Sequence, residues 1–567
     1  MEIGNAKFII HSLEYNSKIQ EAVSDAVSKN VAARIWEKDY TLWSNEPAEI
    51  TNRLAWLNSP SESLSMLDEI ISFRDEIIDS GFKNVLLLGM GGSSLAPEVF
   101  SKIFGKENKF LNLEILDSTD PGAVLALKNK FNPKETLYIV STKSGGTVET
   151  ISFMKYFFNY AVEKLGDEAS NHFIAITDPG SGLQQMAEDL NFRNIFLNNP
   201  DIGGRYSALS LFGMVPAALI GIDLQRFLAN TQMLVNESAG NSAENSSLVL
   251  GVLMGLFAAE KKDKLTFVLS DEIKFFGSWV EQLVAESTGK IGKGILPVDR
   301  EELLSPEYYS DDRFFVNIRL KEDISNSEKI STLIQEGHPV IEIVLDDIYD
   351  LAKELYRWEF ATAVTGWFLN IQPFDQPNVE SAKIIARQMV KEYQEKGELF
   401  NLSPSFIDGE IEIYGESDGG NIKEIFWNYL DKNLKQNRND GLKQYVSIQA
   451  YVNPIEQIDS ALLQLQSEIQ KKYKCAVTTG FGPRFLHSTG QLHKGDAGNG
   501  VFVQFTSKIE NDTAIPNEAK SDSSSISFGV LREAQALGDR QALLDNNRPV
   551  LKIRLSSGLE KDLLLLF

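Results

Sequence analysis

Short apolar runs rich in β-branched residues alternate along this chain with segments whose apolar positions fall at helical spacing. The runs at 85–88, 113–116, 137–140 and 173–177 predict buried strands. Between them, Leu67, Ile70, Ile71, Phe73, Ile77 and Ile78 mark one amphipathic helix. Ile151, Met154, Phe157, Phe158, Ala161 and Leu165 mark another, with Gly166 placed as its C-cap. Such alternation predicts βαβ units and a parallel, doubly wound sheet. After a polar run at 236–247 the pattern begins again. Helices are expected at 248–261, 275–286, 354–369 and 379–393. Strands are expected at 265–270, 314–319, 340–345, 411–414, 445–452, 475–478, 501–505 and 550–555. The predicted fold class is α/β with two doubly wound parallel-sheet domains. Its expected boundaries are a helical N-terminal segment at 1–65, a first domain at 66–236, a second at 248–505 and a small α/β tail at 506–567.

In open parallel sheets ligands bind beyond the carboxyl ends of the strands, where strand order reverses. Two turns of the first domain lie at such ends. In LYIVSTKSGGTVET, 137–150, a strand breaks into a Ser/Thr/Lys/Gly turn and then into a helix. Backbone N–H groups and the positive end of the helix there make a phosphate socket, to which Lys143 adds a full charge. The plainer alternative is an ordinary βα turn with Thr147 as cap and Lys143 solvated. The other turn, GMGGSS at 89–94, brings Gly89, Gly91 and Gly92 for close backbone approach, and the Ser93 hydroxyl. It is neither the dinucleotide fingerprint nor a P-loop, which sets aside NAD and ATP.

Four further segments carry candidate chemistry. GGRYS at 203–207 offers Arg205 as a fixed cation for a developing oxyanion. In FFGSWVEQLVAESTGKIGK, 275–293, Glu286 falls at the C-terminal end of a helix, where the dipole favours its neutral form and suits a general base. Pairing with Lys290 is the structural alternative. FDQPNVESAK, 374–383, holds Gln376 and Lys383. GFGPRFLHSTGQLHKG, 480–495, holds Arg484, His487, His493 and Lys494; its two histidines are six residues apart, which is not a zinc-ligand spacing. No metal site is expected.

Composition narrows the partners. A formal net charge of −24 argues against nucleic acid and anionic membranes. It leaves room for a small anionic substrate in a locally cationic pocket, because surface charge is screened beyond ~8 Å at physiological salt. The single cysteine, Cys475, permits no intrachain disulfide and fits a reducing compartment. With neither a signal peptide nor a membrane-spanning run to be found, a cytoplasmic protein is expected.

Taken together, GMGGS, TKSGGTVET, GGRYS, AESTGK, FDQPNVESAK and HSTGQ resemble the glucose-6-phosphate isomerase family, which is built from two sugar-isomerase (SIS) domains of flavodoxin-like type. The resemblance spans roughly 85–500. RWEFATAV at 357–364 and FGPRFLHSTGQLHKG are most similar to the isomerase half of bifunctional transaldolase/glucose-6-phosphate isomerases, which the chain resembles either standing alone or as a fragment cut from the fusion. The resemblance implies interconversion of glucose 6-phosphate and fructose 6-phosphate, without a cofactor and by a homodimer. Gly91, Gly92, Ser93, Thr142, Lys143, Ser144 and Thr147 would hold the phosphate. Glu286 would move the proton through a cis-enediol(ate), and Arg205 would stabilise it. His487 and Lys383 would open the sugar ring beside Gln376. Two departures stand out: Gly145 and Gly146 occupy places where conventional members carry a bulkier pair, and the histidine segment follows the lysine segment instead of preceding it. A non-catalytic phosphosugar-binding module is the rival from another class, and turnover of mannose 6-phosphate as well is an open extension. An amidotransferase would need an N-terminal cysteine nucleophile, and Cys475 is the only thiol.

Overall fold

The computed structural model describes residues 2–3, 7–105, 109–399, 402–434 and 438–567. Its first sheet is fully parallel, in the order Asn112–Leu116, Asn84–Gly89, Thr136–Ser141, Phe173–Thr177, Asn194–Leu197. Numbered along the chain this is 2-1-3-4-5, and the order reverses between the strands ending at Gly89 and Ser141. Both glycine-bearing turns therefore open from the switch point.

The second sheet repeats the winding. Leu296–Val298, Lys264–Leu269, Arg313–Leu320 and Val340–Leu345 run parallel in the order 2-1-3-4. Phe8–His11 extends it antiparallel to Val340–Leu345, with Glu2–Ile3 antiparallel beyond at the edge, so the N-terminal segment contributes two strands as well as helices.

A third sheet replaces the expected tail. Ala476–Phe481, Tyr445–Tyr451, Gly500–Ser507 and Val550–Leu555 are parallel, again 2-1-3-4, with Ile411–Tyr414 and Phe406–Asp408 added antiparallel. The strands expected at 445–452, 475–478 and 501–505 thus do not join the 264–345 sheet, and the 506–567 stretch is not a separate tail. Alternation places strands along the chain but does not say which strands pair. The helices Leu351–Leu369 and Glu380–Lys396 are where the chain leaves the second sheet for the third.

Packing also redraws the boundary at 236–247. One apolar core runs from Phe8 to Phe374, through both sides of that polar run, while the third sheet has its own from Ile411 to Leu566. The run is polar because it caps a helix. Asn245 accepts from the Leu248 N–H at 3.0 Å and donates to the carbonyls of Ser238 and Gly240, and the Ser238 and Ser247 hydroxyls meet at 2.8 Å. No helix among the described residues is long and apolar enough to cross a membrane.

Glu359, in Leu351–Leu369, is fully buried and neither carboxylate oxygen has a hydrogen-bond partner among the described residues. Burial raises its pKa well above 4.5. The folded chain therefore keeps a proton that the unfolded chain releases, so this contribution is complete below the unfolded pKa and declines as pH rises toward the folded one. The slope reaches about 1.4 kcal/mol per pH unit. Glu359→Gln should flatten the fall of Tm between pH 5 and 8; equal slopes in the two proteins would contradict a neutral Glu359.

Candidate active site

At the switch point Gly89 is paired with Ser141, whose hydroxyl donates to the Ser93 carbonyl at 3.1 Å. The turn that follows leads into the helix Val148–Leu165. Its N-cap residue, Thr147, makes no side-chain capping bond; the Thr147 hydroxyl lies 3.0 Å from that of Thr142 instead. The first-turn N–H groups are left without a capping side chain, the arrangement that binds anions at helix N-termini. Ser144 is exposed beside them and accepts from the Gly146 N–H at 3.3 Å. Gly145 has φ +69°, and a Cβ there would lie 2.2 Å from the Leu183 nitrogen. The turn is seated on the start of the helix Gly182–Asp189 and has no room for the bulkier side chain of conventional members. Lys143 is placed differently from the sequence expectation. It is neither solvated nor a free cation: its ammonium is ion-paired with Asp178 and donates to the Pro200 carbonyl at 2.6 Å.

Gly91 and Gly92 serve contacts between loops. A Cβ on Gly92 would lie 1.9 Å from the Gly204 carbonyl oxygen, so GMGGS is backed directly onto GGRYS; Gly91, at φ +54°, abuts Gln282 and His487. That contact holds Arg205, which is 5% exposed, in a single pose. Its Nε donates to Ser287 Oγ at 2.8 Å, Nη1 to Gln376 Oε1 at 3.1 Å, and Nη2 to the carbonyls of Pro373 (2.7 Å) and Asp375 (2.9 Å). Nη1 also lies 3.3 Å from Glu286 Oε1. Glu286 is near the end of the helix Phe276–Thr288 and nearly as buried as Arg205. Its charged partner is Arg205 and not Lys290. Lys290 turns to Asp375 and the Gln372 carbonyl, and burial, with Arg205 adding to it, pushes its ammonium down to about 7.

His487 closes the far side. Its Nε2 is 3.1 Å from Glu149 Oε1, on the first turn of the helix that follows the 142–147 turn. Burial drives the Glu149 carboxyl up, but His487 beside it, a backbone hydrogen bond and the Lys383 charge together hold it below the usual carboxylate range. Lys383 thus acts on the same carboxylate as His487. Gln282, one turn before Glu286, ties the two halves: its Nε2 donates to the His487 carbonyl at 2.6 Å and lies 3.3 Å from Glu286 Oε2. Contacts, joined by short steps along the chain, run in a circuit from Glu286 through Arg205 and Gly204, Gly92 and Ser93, Ser141 and Thr142, Thr147 and Glu149, His487 and Gln282 back to Glu286.

The neighbours of His487 have structural tasks. Arg484 is ion-paired with Glu98 and Asp117, Lys494 with Asp539 in full burial, and buried His493 has its pKa driven well below 6.5. Sequence reasoning missed Glu149 and Gln282 as site residues, although Glu149 stood inside TVET and Gln282 lies four residues before Glu286 on the same helix face. Among the described residues no His, Cys, Asp or Glu cluster is arranged to hold a metal ion.

The family model for phosphoglucose isomerase matches residues 65–296, which include the 142–147 turn, Arg205 and Glu286. A glucose-6-phosphate isomerase of Methanocaldococcus jannaschii is 29% identical over 393 residues, covering 61% of this chain and 96% of that protein. Over these stretches the chain is similar to glucose-6-phosphate isomerases. A second glucose-6-phosphate isomerase, from Prochlorococcus marinus, is 27% identical over 403 residues, 61% of this chain and 76% of that one. Two solved structures share the fold. A hypothetical protein from Thermus thermophilus superposes with a TM-score of 0.59 at 23% identity, over 67% of this chain and 99% of that one. A glucose-6-phosphate isomerase from Chlamydia trachomatis gives 0.52 at 18% identity, over 64% and 78%. Gln376, Lys383 and His487 lie beyond the span of the family model.

Proposed function

We propose that this chain interconverts glucose 6-phosphate and fructose 6-phosphate. The observation that carries the reading is that Glu286, set against Arg205, shares one circuit of contacts with an uncapped strand–helix turn suited to a phosphate. In this reading the phosphate is gripped by the 142–147 turn, by the hydroxyls of Ser93, Thr142, Ser144 and Thr147, and by first-turn N–H groups. His487, oriented by Glu149, and Lys383 exchange protons with the ring oxygen and the anomeric hydroxyl to open the sugar. Glu286 then takes the proton from one of C1 and C2 and returns it to the other. Arg205, locked by Ser287, Gln376 and two carbonyls, stabilises the enediolate oxygen without reorganising. Gln282 Oε1, which has no partner among the described residues, accepts from a substrate hydroxyl. One base spanning two carbons, one fixed cation and a remote anchor suffice, and the reaction needs no cofactor.

A coupled assay with fructose 6-phosphate tests the reading: turnover supports it, and its absence in folded protein contradicts it. The two phosphate-side roles separate in KM. Thr142→Val removes a hydroxyl from the anion and should raise KM about 10-fold, the loss of one hydrogen bond to a charged group. Lys143→Ala should change it less than about threefold, because that ammonium is engaged by Asp178. Equal effects in steady-state kinetics would reverse this assignment. Kinship with the isomerase half of transaldolase fusions, a cytoplasmic setting and a homodimer complete the proposal; RWEFATAV and FGPRFLHSTGQLHKG support the first.

A further inference from the structure

We propose that Gln535, in the helix Phe528–Asp545 and far outside the stretch matched by the family model, is a positioning residue that sets the Glu149–His487 pair. The inference rests on the isomerase reading above. Gln535 is 4% exposed and spans two partners. Its Oε1 accepts from the fully buried Thr119 hydroxyl at 2.7 Å, and its Nε2 donates to Glu149 Oε1 at 2.7 Å. That oxygen is the one 3.1 Å from His487 Nε2.

The chemistry of the three groups fixes the direction of every bond. An ionised carboxylate only accepts, so the amide must present its NH₂ to Glu149 and its oxygen to Thr119. With Glu149 held as an acceptor, His487 must donate from Nε2, which leaves Nδ1 as the ring nitrogen available for proton exchange with the sugar. Three links on one face of the helix hold Gln535 at this depth. Arg532, three residues before, is ion-paired with Asp120 next to Thr119 and also bonds Ser507; Asp539, four residues after, pairs with Lys494. The helix that covers the third sheet thereby reaches His487 through Glu149.

Gln535→Leu preserves approximate volume and removes the donor, while Thr119→Val leaves the amide but unlocks it. In Gln535→Leu, kcat for fructose 6-phosphate should fall about 10- to 100-fold, the cost of one hydrogen bond to a charged group. KM should stay within about twofold, as should the inhibition constant of an open-chain five-carbon aldonate 5-phosphate, which has no ring to open. Thr119→Val should move kcat the same way by a smaller factor. Unchanged kcat in Gln535→Leu would overturn the inference. So would inhibitor affinity falling in step with kcat, since that marks collapse of the site and not loss of positioning. A folded wild type without turnover would overturn the isomerase reading itself and this inference with it.

Discussion

Replacing Glu286 by glutamine should lower kcat for fructose 6-phosphate by at least about 10³-fold, with KM within about threefold of wild type. Glutamine keeps the length and volume of the side chain, and its amide oxygen can still accept from Arg205 while only the long 3.3 Å contact with Gln282 is given up, so binding and folding have little reason to change. What it loses is the ability to hold a proton between two carbons. A group that acts only in the transition state shows this split between kcat and KM. Steady-state assays at matched pH measure it, and equal kcat in the two proteins would remove Glu286 from the reaction.

Arg205→Lys should cost about 10²- to 10³-fold in kcat, the scale seen when one preorganised donor to an oxyanion is removed. Charge is conserved in that change, so Coulombic attraction alone would predict a mild effect. The geometry predicts otherwise. The guanidinium reaches Ser287, Gln376 and the carbonyls of Pro373 and Asp375 at once while lying 3.3 Å from Glu286. An ammonium has three donors and no planar fork, so it leaves buried acceptors unpaired at about 1–3 kcal/mol each and does not hold its position. A Tm several degrees lower should accompany the kinetic loss. A lysine variant with wild-type kcat would show that the cation's charge, and not its placement, is what the reaction uses.

The strands and helices of the first sheet were legible in the sequence because fully buried parallel strands are short apolar runs between amphipathic helices. The switch point followed, since Gly89 and Ser141 end two such runs. Pairing was not legible. Tyr445–Tyr451 and Gly500–Ser507 look like further strands of whichever sheet precedes them, and only their hydrogen bonds to Val550–Leu555 and Ala476–Phe481 assign them to a third. Polar composition misled at 236–247, where Asn245 and the serines serve a buried cap. Nor was the partner of Lys143 legible, because Asp178 comes from the next strand–helix turn, 35 residues away. The candidate site was readable where its residues sit in local motifs, as at Arg205 and Glu286. Glu149 needed His487, 338 residues distant, before its task was visible. Gln535 carried no local signal at all, because a glutamine inside a helix is ordinary until its two partners are known.

The central claim is that one chain folds a phosphate-gripping turn, a proton-transferring carboxylate and a ring-opening histidine around a single sugar-sized space. A crystal structure with an open-chain five-carbon aldonate 5-phosphate tests it most directly. The account predicts the inhibitor's phosphate within ~3 Å of donors in the 142–147 turn, its carboxylate between Glu286 and Arg205, and His487 of the same chain alongside. A phosphate bound elsewhere, or Glu286 remote from the carboxylate end, would contradict it.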